Sequence, residues 1–140
     1  MNRVIQAKHI YETVLYANDL DAAAKFYVEG FGLTLLSQNE LMIVLGIGER
    51  YLLIFDPEKS SAAGREVPAH GCTGQGHIAF VADNSELSEW RKRLAAAGIE
   101  IESEISWAEG TRGTSIYVRD PAGNSVELAP PVLWSHLESK

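Results

Sequence analysis

Three side chains with metal-binding chemistry lie in strand-like segments of the sequence, Glu12, His77 and Glu127. Strand alternation places His77 on the face opposite Ile78, and Glu127 on the face opposite Val126. Carboxylates and imidazoles are common ligands of divalent metals, so the three predict a metal site if the fold brings them together. Taken singly, each also has a plainer interpretation, as a solvated carboxylate or a hydrogen-bonded histidine.

The elements that must position these residues occur in two similar halves. One strand-like segment begins at Glu12 and another begins at His77, 65 residues later. In each half an amphipathic stretch follows and ends at a glycine suited to a left-handed helix cap, Gly32 and Gly98, which are 66 residues apart. The offsets agree, so Glu12 and His77 occupy corresponding positions, and an approximate two-fold would bring them together.

The amphipathic stretches, residues 20–31 and 86–97, are predicted helices, with Asp19 and Ser85 as their N-caps. Three strand-like segments follow each helix: residues 33–36, 41–45 and 51–55 in the first half, and residues 99–102, 115–119 and 125–129 in the second. The last two are joined by Asp120-Pro121-Ala122-Gly123-Asn124, which has strong turn chemistry. Each half therefore predicts the order strand–helix–strand–strand–strand, which is an α+β architecture.

Length and composition predict one domain over residues 1–140, with module one at about 8–58, a linker at about 59–74 and module two at about 75–131. The net charge of −7 disfavours nucleic acid and anionic membranes as partners. Cys72 is the only cysteine, which excludes an intrachain disulfide and favours a reducing compartment. No signal-peptide core or membrane-length apolar run is present in the sequence, so we expect a cytoplasmic protein.

Five stretches in this order resemble the vicinal oxygen chelate superfamily, which includes glyoxalase I, extradiol dioxygenases, fosfomycin-resistance enzymes and bleomycin-binding proteins. They are Asn18-Asp19-Leu20-Asp21, Lys25-Phe26-Tyr27, Gly32-Leu33, Gly76-His77-Ile78-Ala79-Phe80 and Asp120-Pro121-Ala122-Gly123-Asn124-Ser125-Val126-Glu127-Leu128. The resemblance implies two paired βαβββ modules forming a cupped mixed sheet, the glyoxalase-like fold. It also implies metal ligands on the first and last strands of each module.

Carried onto this chain, those ligand positions are Glu12, His77 and Glu127. The family often has histidine at the first position, where this chain has Glu12. Aligning the two halves places Ile54 at the fourth position, and isoleucine cannot coordinate a metal. The resemblance therefore implies an open site of three protein ligands for Mn, Fe(II), Ni, Mg or Zn, and its oxygen-rich donor set favours the first four over a structural zinc site.

The function implied is that of a metal-dependent enzyme acting on a small molecule chelated through two neighbouring oxygens. Lyase, isomerase, dioxygenase and thiol-transfer reactions all remain open. The alternatives are a metal-free protein that sequesters an antibiotic, as in bleomycin resistance, and a regulatory domain with a vestigial site. Family precedent and exposed sheet edges predict a homodimer. Whether Glu12 and His77 come from one chain or two stays open.

Other residues are candidates for substrate binding or catalysis. If Arg119 and Ser125 pair across the last hairpin, Tyr117 faces Glu127 and joins it as a catalytic and substrate-binding residue. His70, in a glycine-rich stretch before His77, is a candidate proton-transfer group, with a metal ligand and a surface histidine as the alternatives. Two further candidates for substrate binding flank a turn, Trp107 and Arg112, the latter for an anionic group.

Overall fold

A computed structural model describes residues 4–138. The first half contains β1 (Glu12–Tyr16), α1 (Leu20–Lys25), β2 (Thr34–Gln38), β3 (Met42–Ile47) and β4 (Arg50–Phe55). A short helix α2 (Pro57–Ser60) opens the linker. The second half contains β5 (His77–Val81), α3 (Leu87–Ala96), β6 (Ile101–Ser106), β7 (Thr114–Arg119) and β8 (Ser125–Ala129). No helix among residues 4–138 has both the length and the apolar character needed to cross a bilayer.

Each half forms its own four-stranded mixed sheet, with strand orders β1-β4-β3-β2 and β5-β8-β7-β6. In both sheets the first strand pairs in parallel with the last, and the remaining pairs are antiparallel. The first strands, β1 and β5, are therefore edge strands. The predicted α+β fold of two βαβββ modules is confirmed.

Aromatic side chains from both halves form the core between the helices and the sheets. Phe31, at the end of the first helical segment, packs on Phe80 of β5 with ring centroids 5.2 Å apart and on Trp90 of α3 at 5.9 Å. Tyr27 contacts Phe80 at 6.4 Å. Because these contacts join the two halves, neither half buries its helix face alone.

The first predicted helix is interrupted in its second half. Regular α-helix ends at Lys25, and one π-helical segment, Phe26–Gly30, completes the stretch. The wider turn leaves Phe26, Tyr27 and Phe31 all buried, with 8%, 0% and 8% exposure. At 3.6 residues per turn the three rings would already span only about 140° of the helix surface, and the wider π-helical turn narrows that span further.

Side-chain caps start the helices. The Asp19 carboxylate accepts a hydrogen bond from the Ala22 amide, as predicted. The prediction of Ser85 as the second N-cap is wrong, because Asp83 accepts from the Ser85 amide and begins a 3₁₀ turn, Asn84–Glu86, before α3. The extra turn lies between the cap and the regular helix, so the cap falls two residues earlier than expected.

The turn between β7 and β8 holds the two halves together. Asp120 accepts hydrogen bonds from the Tyr27 hydroxyl at 2.7 Å and from the Asn124 side chain at 2.9 Å. The Asn124 amide group in turn donates to the Tyr16 carbonyl at 3.4 Å and accepts from the Gly76 amide at 2.7 Å. Gly76 precedes His77, so this network fixes the start of β5 against both halves.

Candidate functional site

The second sheet presents its polar residues on the face opposite the helices. Glu127 on β8 lies between Ala79 of β5 and Tyr117 of β7 in the strand register. Its neighbours along the strand, Val126 and Leu128, are at most 1% exposed and belong to the core. The predicted pairing of Tyr117 with Glu127 is therefore confirmed.

His77 and Glu127 meet on this face. The Nε2 atom of His77 lies 3.2 Å from Oε1 of Glu127, and the His77 Nδ1 atom lies 3.0 Å from the Ser125 carbonyl oxygen. When Nδ1–H donates to that carbonyl, a neutral imidazole presents a lone pair at Nε2. Two acceptors then face each other, an arrangement that a proton or a metal cation between them stabilises. The donor atoms thus fit a divalent metal.

Burial of the two side chains differs. Glu127 is 7% exposed and His77 is 52% exposed, measured on their side chains. The carboxylate is therefore held inside the sheet face while the imidazole lies at its open edge. This edge, along β5, is where the pair is open to solvent.

The second carboxylate oxygen of Glu127 accepts a hydrogen bond from a residue that was not predicted from the sequence. Ser115, fully buried, donates its hydroxyl to Oε2 of Glu127 at 2.6 Å. The Trp107 indole N–H donates to the same Ser115 oxygen at 2.8 Å. Trp107, predicted to bind substrate, therefore connects to Glu127 through Ser115. The available signal was the strand parity that puts Ser115 on the same face as Tyr117.

Tyr117 completes this side of the pair. Its ring stacks near the His77 imidazole, with centroids 6.5 Å apart and planes at 25°. Burial raises the pKa of the Tyr117 phenol, and the charge of Glu127 and a hydrogen bond to it raise it further. The phenol is therefore protonated at neutral pH and acts as a hydrogen-bond donor.

Glu12 does not join His77 and Glu127 within one chain. It is exposed at the start of β1, opposite Tyr51 of β4. Within residues 4–138, no three His, Cys, Asp or Glu side chains are grouped so as to hold a metal ion. The single chain thus assembles two of the three predicted ligands.

The fourth position predicted from the repeat is wrong by one residue. Glu12 pairs with Tyr51 as His77 pairs with Ser125, so the counterpart of Glu127 is Leu53. Ile54 is fully buried on the helix side of the sheet. Leucine cannot coordinate a metal either, and the expectation of three protein ligands is unaffected.

His70 and Arg112 lie apart from the pair. His70 lies against the first sheet, where its Nδ1 atom is 2.7 Å from the Tyr16 hydroxyl and its ring packs edge-on against Phe55 at 4.6 Å. Arg112, half-buried, follows the turn after Trp107, and its Nη1 atom lies 2.9 Å from Nε2 of His136. His70 therefore belongs to a side-chain cluster on the first module, and Arg112 places a cation beside the loop that begins at Trp107.

Residues 9–128 match the model of the Glyoxalase/Bleomycin resistance protein/Dioxygenase superfamily. A crystal structure of lactoylglutathione lyase from Agrobacterium tumefaciens is 44% identical, with a TM-score of 0.84 over 91% of this chain and 97% of that one. A virulence protein of Salmonella typhimurium is 28% identical, over 83% of this chain and 79% of its own length.

A fold match at lower identity is a mutant of the fosfomycin resistance protein FosX from Listeria monocytogenes, complexed with Mn(II) and 1S,2S-dihydroxypropylphosphonic acid. It is 21% identical, with a TM-score of 0.70 over 96% of this chain and 98% of that one. The match to the family model covers most of the chain and includes both residues of the observed pair, His77 and Glu127. This chain belongs to the Glyoxalase/Bleomycin resistance protein/Dioxygenase superfamily.

Proposed function

We propose that this protein is a metal-dependent lyase acting on a small molecule that binds through two neighbouring oxygens. The observation that carries the proposal is the facing pair of acceptors, His77 Nε2 and Glu127 Oε1, at 3.2 Å. His77 Nδ1 bonds the Ser125 carbonyl, and Glu127 Oε2 accepts from the Ser115 hydroxyl. Nε2 and Oε1 are therefore free to bind a cation. The lyase assignment is supported by the 44% identical relative described as lactoylglutathione lyase.

Glu12 from a second copy of the chain is the third ligand in this proposal, which makes the protein a homodimer. Glu12 is exposed on edge strand β1, and His77 begins edge strand β5. A groove of about 370 Å³ runs beside these edges and is lined largely by apolar side chains, among them Ile10, Tyr11, Ile78 and Val81. Unpaired strand edges and exposed apolar groups both favour association.

A bound divalent ion would supply Lewis-acid stabilisation of an oxyanion developing on the substrate. Two carboxylates and one imidazole favour Mn, Fe(II), Ni or Mg. Leu53, at the position corresponding to Glu127, adds no ligand and leaves room for substrate oxygens. A lactoyl group has a hydroxyl and a carbonyl oxygen on adjacent carbons, which is the arrangement that the proposal requires.

The surrounding residues have distinct proposed roles. The protonated Tyr117 phenol donates a hydrogen bond to a substrate oxygen as negative charge develops there. Arg112 binds an acidic group of the substrate, and Trp107 bounds the same side. His70, bonded to Tyr16, is the candidate for proton transfer if the first sheet of one copy faces the second sheet of the other. Glu127 serves as a ligand and accepts from Ser115.

The test is calorimetry on metal-loaded and metal-stripped protein, with a hydroxamate chelator and a cationic aromatic ligand as probes. We expect the hydroxamate to bind only the loaded wild type, and His77→Ala and Glu127→Ala to lose the metal. Glu49→Ala, which removes a carboxylate from the exposed β3–β4 turn, is the matched control. Hydroxamate binding that ignores the metal, together with tight uptake of the cation, would support the antibiotic-sequestering alternative instead. Turnover of lactoylglutathione by the loaded protein tests the lyase assignment separately.

Mixing variants tests the composite site. Glu12→Ala and Glu127→Ala proteins are co-expressed with different tags, and the mixed dimer is isolated. If the site draws Glu12 from one copy and His77 with Glu127 from the other, one of the two sites in the mixed dimer is intact and binds metal. A site formed within one chain gives no recovery, and that result would refute the composite arrangement.

A further inference from the structure

We propose that Ser115, backed by Trp107, is a positioning residue that selects which oxygen of Glu127 faces the metal. The inference rests on the proposed metal site at His77 and Glu127. It adds two residues to that site, and neither of them would contact the metal. Ser115 is also shielded from solvent. Ser115 is 0% exposed.

The donors and acceptors available on Trp107, Ser115 and Glu127 fix the direction of the two hydrogen bonds between them. An indole N–H only donates, so the Ser115 oxygen must accept from Trp107 across their 2.8 Å contact. The single hydroxyl proton of Ser115 is then directed at Oε2 of Glu127, 2.6 Å away. Oε2 is engaged in this hydrogen bond, and Oε1 is the oxygen that faces Nε2 of His77 at 3.2 Å. Trp107 therefore acts on the carboxylate only through Ser115.

The loop that delivers the indole adopts a costly backbone conformation. Ala108 (φ 50°, ψ 49°) and Glu109 (φ 55°, ψ 34°) are both left-handed without being glycine. Hydrogen bonds hold this conformation, from the Trp107 amide to the Gly113 carbonyl at 2.9 Å and from the Arg112 amide to the Trp107 carbonyl at 3.2 Å. Strain that the surroundings maintain beside a candidate site is a feature of positioning devices.

The expected effect of breaking the chain is a partial loss of metal affinity. Partners that orient metal ligands are typically worth about 10–100-fold in affinity. We expect about a tenfold weaker Kd for Zn(II) in Ser115→Ala, and a smaller loss in Trp107→Phe.

Zn(II) titration of the single and double variants separates positioning from general damage. Because Trp107 acts through Ser115, the double variant should bind Zn(II) as Ser115→Ala does, with no added loss. Controls are Ser106→Ala, whose exposed hydroxyl contacts Thr114 at 3.2 Å, and Trp134→Phe, an exposed indole. Ser115→Cys, a far weaker donor of similar size, replaces Ser115→Ala if the alanine variant does not fold.

NMR spectroscopy provides a second readout, a change in resonance that a purely structural role of Ser115 would not produce. The indole N–H resonance of Trp107, assigned by its absence in Trp107→Phe, should shift when Zn(II) binds the wild type and should not shift in Ser115→Ala. Ser115→Ala binding Zn(II) within twofold of wild type, or losses that multiply in the double variant, would overturn this inference alone. Wild-type binding retained by His77→Ala and Glu127→Ala would instead overturn the proposed function, and this inference with it.

Discussion

Removing one buried hydroxyl, with Tyr27→Phe, should weaken the connection between the two halves by a predictable amount. Tyr27 is 0% exposed and donates to Asp120 Oδ2 at 2.7 Å, and Asp120 is 4% exposed. The substitution leaves the ring contacts with Phe31 and Phe80 in place, so only the hydrogen bond is lost. A hydrogen bond to a charged group is worth about 2 kcal/mol, which is the expected decrease in the free energy of unfolding at pH 8.

The same hydroxyl makes this difference depend on pH. Burial, and then the charge of Asp120, raise the pKa of Tyr27 far above its ordinary value. The folded state keeps its proton where the unfolded state loses it, so the contribution is full below about pH 10 and falls as pH rises further. At about 1.4 kcal/mol per pH unit, the gap between wild type and Tyr27→Phe should shrink to about 0.6 kcal/mol at pH 11.

Urea unfolding of both proteins at pH 8 and pH 11 provides the measurement. Other tyrosines titrate in both proteins and cancel in the difference. Tyr11→Phe, which removes an exposed hydroxyl, is the matched control and should leave the free energy of unfolding at pH 8 unchanged within the error of the measurement. A gap near zero at pH 8, or an equal gap at both pH values, would refute the assignment of this hydrogen bond.

Three further substitutions test two glycine positions and one surface ion pair. Gly113→Ala should cost about 2–3 kcal/mol, because φ is 82° and a Cβ atom would lie 2.6 Å from Cβ of Pro130. Gly48→Ala, with φ 57° and open space around the added Cβ atom, should cost only about 1 kcal/mol, and thermal denaturation measures both variants against wild type. Glu104→Gln breaks an exposed two-contact ion pair with Arg91 and should cost less than about 1 kcal/mol, a difference that 1 M NaCl removes. A larger or salt-independent loss would contradict the surface interpretation.

The repeat was the strongest signal in the sequence because each half uses the same element order. Strand parity around the Asp120 turn was enough to place Tyr117 opposite Glu127, since one hairpin register fixes every pair. The same parity was not used for Ser115, because a serine in a strand has no distinctive chemistry until its partners are known. Its contact with Trp107 depends on two left-handed residues that no local propensity predicts.

The misplaced fourth position has a definite cause. Aligning the halves on their prolines assumes equal spacing from the polar face to the proline. Pro57 begins helix α2 four residues after Leu53, whereas Pro130 follows Glu127 by three. The single extra residue reverses the face, as any odd shift in a strand does. The separation of Glu12 from His77 within one chain was unpredictable for another reason, since strand parity and repeat offsets do not say whether two corresponding residues meet within one chain or across two.

The parallel pairing of β5 with β8 also bears on how the site forms during synthesis. Ser115 and Glu127 are 12 residues apart and Trp107 and Ser115 are 8 apart, so the hairpin side of the site closes locally. The contact between His77 and the Ser125 carbonyl cannot form until Ser125, 48 residues later, has been synthesised. At roughly 5–20 residues per second, translation leaves β5 without its partner strand for about 2–10 s. During that interval Ile78 and Phe80 have no sheet to join, and a chain stopped before β8 contains His77 but cannot form the pair.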